Sequence, residues 1–283
     1  GLNWEALPPP VTEGLSRGGV REVGGAAVID GKVYLLYCAG QGEMTVFVGD
    51  RPEGPFRIQE KNAHVLFGHT HFARFAESGD GPLVVHHVIG PTELDTPPLC
   101  SSAPIKRAIV DEEGILRLVY WNGNDRLKTN PVPVQLADPA EAESGNRMRM
   151  LENKFDATRG LVLEGRFAKP VGTRFLSLNQ GIYVETSPGH GIAIMVTGGL
   201  TRLGTVRGDA TGFRMDSFIN RQWSPGPQPR FRLLLREALL EFYLDDHLMQ
   251  CYALPEPATG RLGIIHNGNP DCIDQLQAWN GCE

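Results

Sequence analysis

The sequence has no apolar run approaching the roughly 20 residues that a membrane-spanning helix needs, and so it offers no such helix. It also lacks a surplus of basic charge: 27 Lys and Arg stand against 33 Asp and Glu, a net charge of −6. That balance gives no footprint for nucleic acid or an anionic membrane, and it favours a neutral or weakly polar partner. Cysteine is scarce and unpatterned. The five residues, Cys38, Cys100, Cys251, Cys272 and Cys282, show no CxxC spacing, which argues against a structural zinc site or a disulfide framework. A single bridge between Cys272 and Cys282 stays open. There is no GxSxG elbow, phosphate loop or DxDxDG calcium loop, and GNRMRM, with only Arg147 and Arg149 basic, is too short for a nucleic-acid motif. The opening GLNWEALPPP carries neither an initiator Met nor a secretory leader and reads like the inside of a domain. The amino terminus is therefore expected to lie upstream, and compartment is left open, with the cytoplasm favoured and secretion not excluded.

Helical periodicity is the last thing missing. Its best stretch, PRFRLLLREALLEFYL, reads instead as two strands, FRLLLRE and LLEFYLDD, meeting near Glu237 and Ala238. What is present is punctuation: 34 Gly and 21 Pro, about a fifth of the 283 residues, separate short β-rich runs as in an all-β protein. Glu22 to Ile29, an Asp30-Gly31 hairpin turn, Val33 to Tyr37, Met44 to Val48 and Gly54 to Glu60 form one four-stranded meander. The pattern restarts with His69 to Phe75, Pro82 to Ile89, Pro104 to Val110 and Ile115 to Trp121. Two meanders of about 50 residues each are the signature of propeller blades. Residues 1 to 8 are then the outermost strand of an earlier blade. Because a propeller needs at least about four blades, the others are expected on upstream chain or on a separate chain.

The blade rhythm stops at Asn122, and ADPAEAESG reads as a linker. Beyond it come nine short alternating strands, LVLEGRFA, GIYVETS, GIAIMVTG, TRLGTVRG, FRLLLRE, LLEFYLDD, HLMQCYAL, GRLGIIHN and DQLQAWN, which read as a β-sandwich. The expected organisation is all-β: blades over residues 1–125, a linker over 126–153, and a lectin-like jelly-roll sandwich of the concanavalin kind over 154–283.

These segments in this order carry a resemblance. A propeller followed by a lectin-like sandwich, with the blade segment GDRPEGPF, resembles glycoside hydrolase families 32 and 43 and their relatives. The covered region looks like the later blades of a five-bladed catalytic propeller plus the sandwich. REVGGAAVIDGKVYLLYCAG is similar to the family segment in which a Glu precedes a Gly-turn hairpin, which implies Glu22 as the general acid. Here Val23-Gly24-Gly25 replaces the usual Gly-Pro or Cys-Pro. FGHTHFARF looks like the segment that opens the last catalytic blade and implies His69 at the channel, where a histidine lies beneath the sugar and helps hold a water or a calcium ion. GPLVVHHVIG resembles the strand that follows.

A glycosidase needs two carboxyl groups, one an acid and one a base or nucleophile, and a Glu half-desolvated at a propeller rim suits the acid. The plain alternative for Glu22 is a rim ion pair with Arg21 or another Arg. Asp30, Asp50, Asp80 and Asp111 sit in turns, where Asp serves turn chemistry, so the second carboxylate is expected from blades outside this sequence. Strand alternation puts His69, His71, Ala73 and Phe75 on one face and Thr70, Phe72 and Arg74 on the other. Two histidines without a third ligand are weak support for a metal, so none is assigned, with calcium kept open by the resemblance. Of His86-His87 and of Lys106-Arg107, at most one member of each pair faces the channel; His86 and Lys106 are taken as substrate-binding with His69, His71 and Arg74, the alternative being a solvated edge. Trp4, Trp121, Trp223 and Trp279 are the aromatic residues a sugar could stack on; Trp121 and Trp279, at strand ends, fit packing roles, and Trp223, in NRQWSPGPQPR, is the best candidate for an exposed platform. Asp245, Asp246 and His247 read as a sandwich hairpin. The expectation is a hydrolase of a furanoside or related oligosaccharide; the rivals are a non-catalytic carbohydrate-binding protein and a scaffold without a ligand.

Overall fold

The computed structural model describes residues 11–13, 21–39, 43–68, 70–90, 100–138, 146–168, 180–267 and 269–281; the side chains of residues 21–23, 39 and 100 lie outside the description. The expected strand of residues 1 to 8 therefore falls outside it, as does Cys282. Cys272, its suggested partner, is a buried free thiol.

The first meander is a sheet of β1 (Arg21–Ile29), β2 (Lys32–Ala39), β3 (Met44–Gly49) and the short β4 (Arg57–Ile58), with β5 (His64–Leu66) also on β3. The turn between β1 and β2 has Asp30 at φ 50 and Gly31 at φ 78, the two positive values that a type I′ hairpin requires. The second meander comprises β6 (Thr70–Ala76), β7 (Leu83–Ile89), β8 (Cys100–Ser102), β9 (Lys106–Val110) and β10 (Leu116–Tyr120). Each meander is antiparallel, as a blade should be.

The stretch read as a linker is built into the sandwich. After a 3₁₀ turn at Asn122–Leu127, β11 (Asn130–Val132) and β12 (Asn146–Met150) each form the edge of a sheet. Most of ADPAEAESG lies outside the described residues, so the polar residues that suggested a linker belong to the connection between two edge strands. The remaining elements are β13 (Leu161–Phe167), β14 (Gln180–Ser187), β15 (His190–Thr197), β16 (Leu200–Arg207), β17 (Arg214–Asn220), β18 (Arg230–Arg236), β19 (Leu239–Leu244), β20 (His247–Ala253), β21 (Leu262–Asn267) and β22 (Ile273–Asn280). Nine of these are the expected strands. β17 is the addition: its pattern of mostly exposed residues carries no apolar face for a sequence reader to see.

One sandwich sheet runs β12-β21-β14-β15-β16-β17. The other, β11-β22-β13-β18-β19-β20, does not stop at an edge: Val119 of β10 pairs with His247 of β20, and Tyr120 N–H donates to Asp246 O at 2.8 Å. The second blade and this sandwich sheet are thus one continuous sheet. Leu163, Leu233, Phe242, Ile182, Ile194 and Ile264 fill the space between the sandwich sheets. On the opposite face, Val162, Leu234, Tyr243 and Cys251 pack with Leu36, Val46, Val84 and Leu118 of the blades. β18 and β19 are therefore buried on both faces, which is why RLLL and LLEFYL are apolar almost without interruption.

Candidate functional site

The innermost strand of the second blade carries a bulge. Its register with β7 runs Thr70 to Val88, His71 to His87, then Arg74 to Val85, so three steps on β6 oppose two on β7. Phe72 within it has φ 55, a left-handed conformation that costs a residue with a Cβ roughly 1–2 kcal/mol. Cross-strand partners share a face, so His71 and Arg74 lie on the face of His87 and Val85, while Thr70 and Phe75 join Val84, His86 and Val88 on the core side. The simple alternation expected from the sequence, which separated His71 from Arg74, is corrected by this one extra residue. Phe72 remains 39% exposed, its ring 6.1 Å from that of His71 and 6.0 Å from that of His87. The result is an open face of two imidazoles, a phenyl ring and a guanidinium.

The first blade reaches this face through glycine. β1 bulges between Glu22 and Gly25, and a Cβ on Gly24 would overlap Leu36 O. A Cβ on Gly25 would stand 2.8 Å from Phe75 N and 3.1 Å from Arg74 Cα, so β1 meets β6 backbone to backbone. That close approach is the physical reason for the Val23-Gly24-Gly25 sequence. Glu22 pairs with Cys38 across the β1–β2 ladder, and Cys38 Sγ lies 3.9 Å from His71 Nδ1. Cys38 therefore brings the backbone position of Glu22 and the side chain of His71 to one place. The Glu22 side chain and the whole of His69 lie outside the described residues.

His86 and Lys106 are elsewhere. His86 faces the core side of β7, at 2% exposure, and Lys106 is fully buried at 0%. Both were expected to touch substrate; continuity of the blade sheet with the sandwich covers them instead. The Lys106 ammonium donates to Pro104 O at 2.7 Å and to Glu241 Oε1, and lies 2.7 Å from His86 Nε2. Glu241, also at 0% exposure, accepts from the Tyr243 hydroxyl at 2.7 Å and from Cys251 Sγ at 3.5 Å. Burial, then the adjacent ammonium, holds His86 well below the ordinary imidazole range, so it is neutral. Its Nδ1–H donates to His87 O at 3.2 Å and its Nε2 accepts from Lys106. Burial, then the Glu241 charge, pushes the Tyr243 hydroxyl and the Cys251 thiol up. The donor atoms of His86, Glu241 and Cys251 lie within 4.8 Å of one another. Calcium demands six to eight oxygens, and this set offers one carboxylate, with an ammonium already bonded to it. The group does not fit calcium.

Trp223 is half-buried, stacked on His247 at 4.0 Å and 26° and packed against the sandwich core, so one ring face is already engaged. Trp121 Nε1–H donates to Asp80 Oδ2 at 2.9 Å, and Lys128 lies over the Trp279 ring at 5.1 Å. Asp111 accepts from Ile115 N–H, Glu113 N–H and Arg117 Nε–H. Partial burial pushes its pKa up, but those bonds outweigh it and hold the carboxyl below the ordinary range. Asp30 occupies its turn. The sequence reading missed Phe72, whose exposure follows from an unseen bulge, and Glu241, which simple alternation would have turned toward solvent.

Blades followed by a two-sheet sandwich define a glycoside hydrolase-like fold, as the sequence resemblance implied. No family model and no curated protein matches the sequence. Solved structures do match. The Bombyx mori family 32 β-fructofuranosidase superposes with a TM-score of 0.60 at 11% identity, over 92% of this chain and 54% of that one. The fructosyltransferase from A. japonicus gives 0.58 at 9% identity, over 93% and 56%. The Aspergillus kawachii β-fructofuranosidase complexed with glycerol gives 0.57 at 11%, over 98% and 60%. At such identities the likeness is one of fold alone, and this chain spans little more than half the length of those structures.

Proposed function

We propose that this chain contributes the acid-bearing side of a carbohydrate site acting on a furanoside or related oligosaccharide. Glu22 is the general acid that protonates the leaving oxygen, His71 and Arg74 bond sugar hydroxyls, and Phe72 offers the apolar surface of a ring to stack on. His69 stands with them by its place in the chain. The observation that carries this reading is the convergence of Glu22 and His71 on Cys38 where the two inner strands meet. The fold class and the names of the structural neighbours support the substrate class. Hydrolysis needs a second carboxyl about 5–9 Å from the first. Asp80 and Asp111 are committed to turns and side-chain bonds, so this second group comes from chain beyond these 283 residues, in the same polypeptide or a partner. Lys106, His86 and Trp223 are not substrate contacts in this reading.

The test uses the full-length protein with sucrose and an aryl arabinofuranoside. Glu22→Gln should lower kcat by about 10² or more while leaving binding of the unhydrolysed sugar within a few fold, and Arg74→Ala should weaken both. The non-catalytic rival is favoured by the His71, Phe72, Arg74 and His87 face, which needs no acid to bind a glycan. It is established if wild type and Glu22→Gln bind equally and neither turns over. Absence of both binding and turnover in the wild type removes both readings.

A further inference from the structure

A cavity of about 400 Å³ lies where residues 102–105 of the second blade meet β13, β18 and β19 of the sandwich, and no described residue of β6 or β7 lines it. It is within the range that holds a small organic molecule. Its floor is apolar, built from the two-sided strands: Leu161 and Val162 of β13, Leu234 of β18 and Leu239 of β19. Its charged lining is mostly basic. Arg126, Arg159 and Arg236 border it, in a chain whose net charge is −6. The one carboxylate in the lining, Glu241, is already bonded to the Lys106 ammonium and the Tyr243 hydroxyl, so it adds no free negative charge.

The three guanidiniums differ. Arg126 bonds Gly123 O at 2.7 Å and lies over the Trp121 ring, and Arg159 reaches Asp156 at 4.0 Å. Arg236, at the end of β18 and one residue before the Glu237 turn, has no carboxylate partner among the described residues. Its stem runs past Gly160, with Cβ and Cδ 3.8 and 3.9 Å from where a Cβ there would be, so the side chain lies along the cavity edge.

We infer that this cavity binds an aliphatic carboxylate, its chain on the leucine floor and its head group on Arg236. A sugar does not suit the floor, which offers hydrocarbon where hydroxyls would need partners. A cation does not suit the rim. A neutral apolar molecule would leave the guanidinium unused, so the anion is selected over its uncharged isostere.

Octanoate is the probe, titrated by calorimetry into the intact protein, with 1-octanol and octylammonium as isosteres. Saturable one-to-one binding of octanoate is expected, at least about tenfold tighter than octanol and absent for octylammonium. Lengthening the series from hexanoate to decanoate should raise affinity by up to about fourfold per methylene, as burial of each CH₂ demands. Arg236→Glu should abolish binding and Arg236→Lys should keep most of it, both with an unchanged Tm because Arg236 is exposed. Leu239→Trp, which fills the cavity from its apolar side, should abolish it independently. The inference is overturned by no saturable octanoate binding, by octanol binding equally well, or by Arg236→Glu retaining wild-type affinity. The open face of β6 and β7 plays no part in the assay, so failure here leaves the carbohydrate reading to its own test.

Discussion

Replacing Lys106 by Met removes one positive charge from the place where the second blade and the sandwich share a sheet. In the wild type the ammonium and the Glu241 carboxylate are both wholly buried. Met fills much of the lysine stem's volume, so cavity formation is a minor part of the cost. What is lost is the counter-charge of Glu241 and the donor to Pro104 O and His86 Nε2. Breaking one side of a buried ion pair costs about 3–5 kcal/mol, whereas replacing both sides by apolar groups is often near neutral. Lys106→Met should therefore destabilise by about 3–5 kcal/mol. Lys106→Met with Glu241→Leu should lose less than the single variant: both orphan Pro104 O and His86 Nε2, but the double removes the uncompensated carboxylate and adds only the Tyr243 hydroxyl and Cys251 thiol as groups without an acceptor, at about 1–2 kcal/mol. Urea denaturation at pH 7.5, followed by tryptophan fluorescence, reads both. The single variant has a second signature. The Lys106 charge helps keep His86 unprotonated, and His86 Nε2 lies 4.0 Å from Glu241. Without Lys106, a protonated His86 becomes the counter-charge, so the deficit should shrink as pH falls from 7.5 toward 5.5. A single-variant cost below about 1 kcal/mol, or a double variant less stable than the single, refutes the argument that this pair is a buried, mutually dependent unit.

The histidines set the acid limb of the wild type. His86, His247 and His266 all have folded pKa values below 6.5, in each case chiefly through burial. Below pH 6.5 the unfolded chain binds protons that the folded chain refuses. Stability is therefore full above that pH and falls as pH drops toward the folded values, by up to about 1.4 kcal/mol per unit for each histidine and less for the partly exposed His247; a flat profile between pH 6.5 and 5 would contradict this. His266, 1% exposed, has neither ring nitrogen bonded among the described residues and is flanked by Arg147 and Arg149. His266→Leu should raise stability at pH 7 by about 1 kcal/mol and make the acid slope shallower; a loss in urea denaturation would instead reveal a bond to the ring. Gly25→Ala puts a methyl against the β6 backbone and should cost about 2 kcal/mol or more, with loss of sugar binding as β1 and β6 part. Retained stability would mean that the inner strands do not meet.

The strands were legible in the sequence wherever a single face is apolar and a turn residue closes the run. Asp30-Gly31 and Gly114 marked hairpins because positive φ restricts the choice of residue. The bulge at Phe72 left no such mark: an aromatic residue is there in the left-handed region, and the only sign is a register shift that a single strand cannot display. Edge strand β17 was invisible for a related reason, since neither face is apolar. In the candidate site, chain order and resemblance put Glu22 and His71 forward as candidates, and what depends on which face of a strand is covered was illegible.

Which face of the blade is covered decides the fate of His86 and Lys106. In VVHHV and IKRAI, two polar residues stand side by side between apolar ones, so the members of each pair face opposite ways, and the pattern alone cannot say which one is buried. The deciding fact is non-local: β10 pairs with β20, which carries the sandwich sheet across the core side of the blade. Once covered, a lysine persists only if a carboxylate is buried with it, and Glu241 lies on the same face of β19 as Tyr243, between leucines and phenylalanine that face the other way. A charged residue in a strand apolar on both sides is therefore a signal in its own right. In RLLLREALLEFYL it is Glu241, and it calls for a buried basic partner on a distant strand. Lys106, fully buried on the neighbouring blade and bonded to that carboxylate, is that partner.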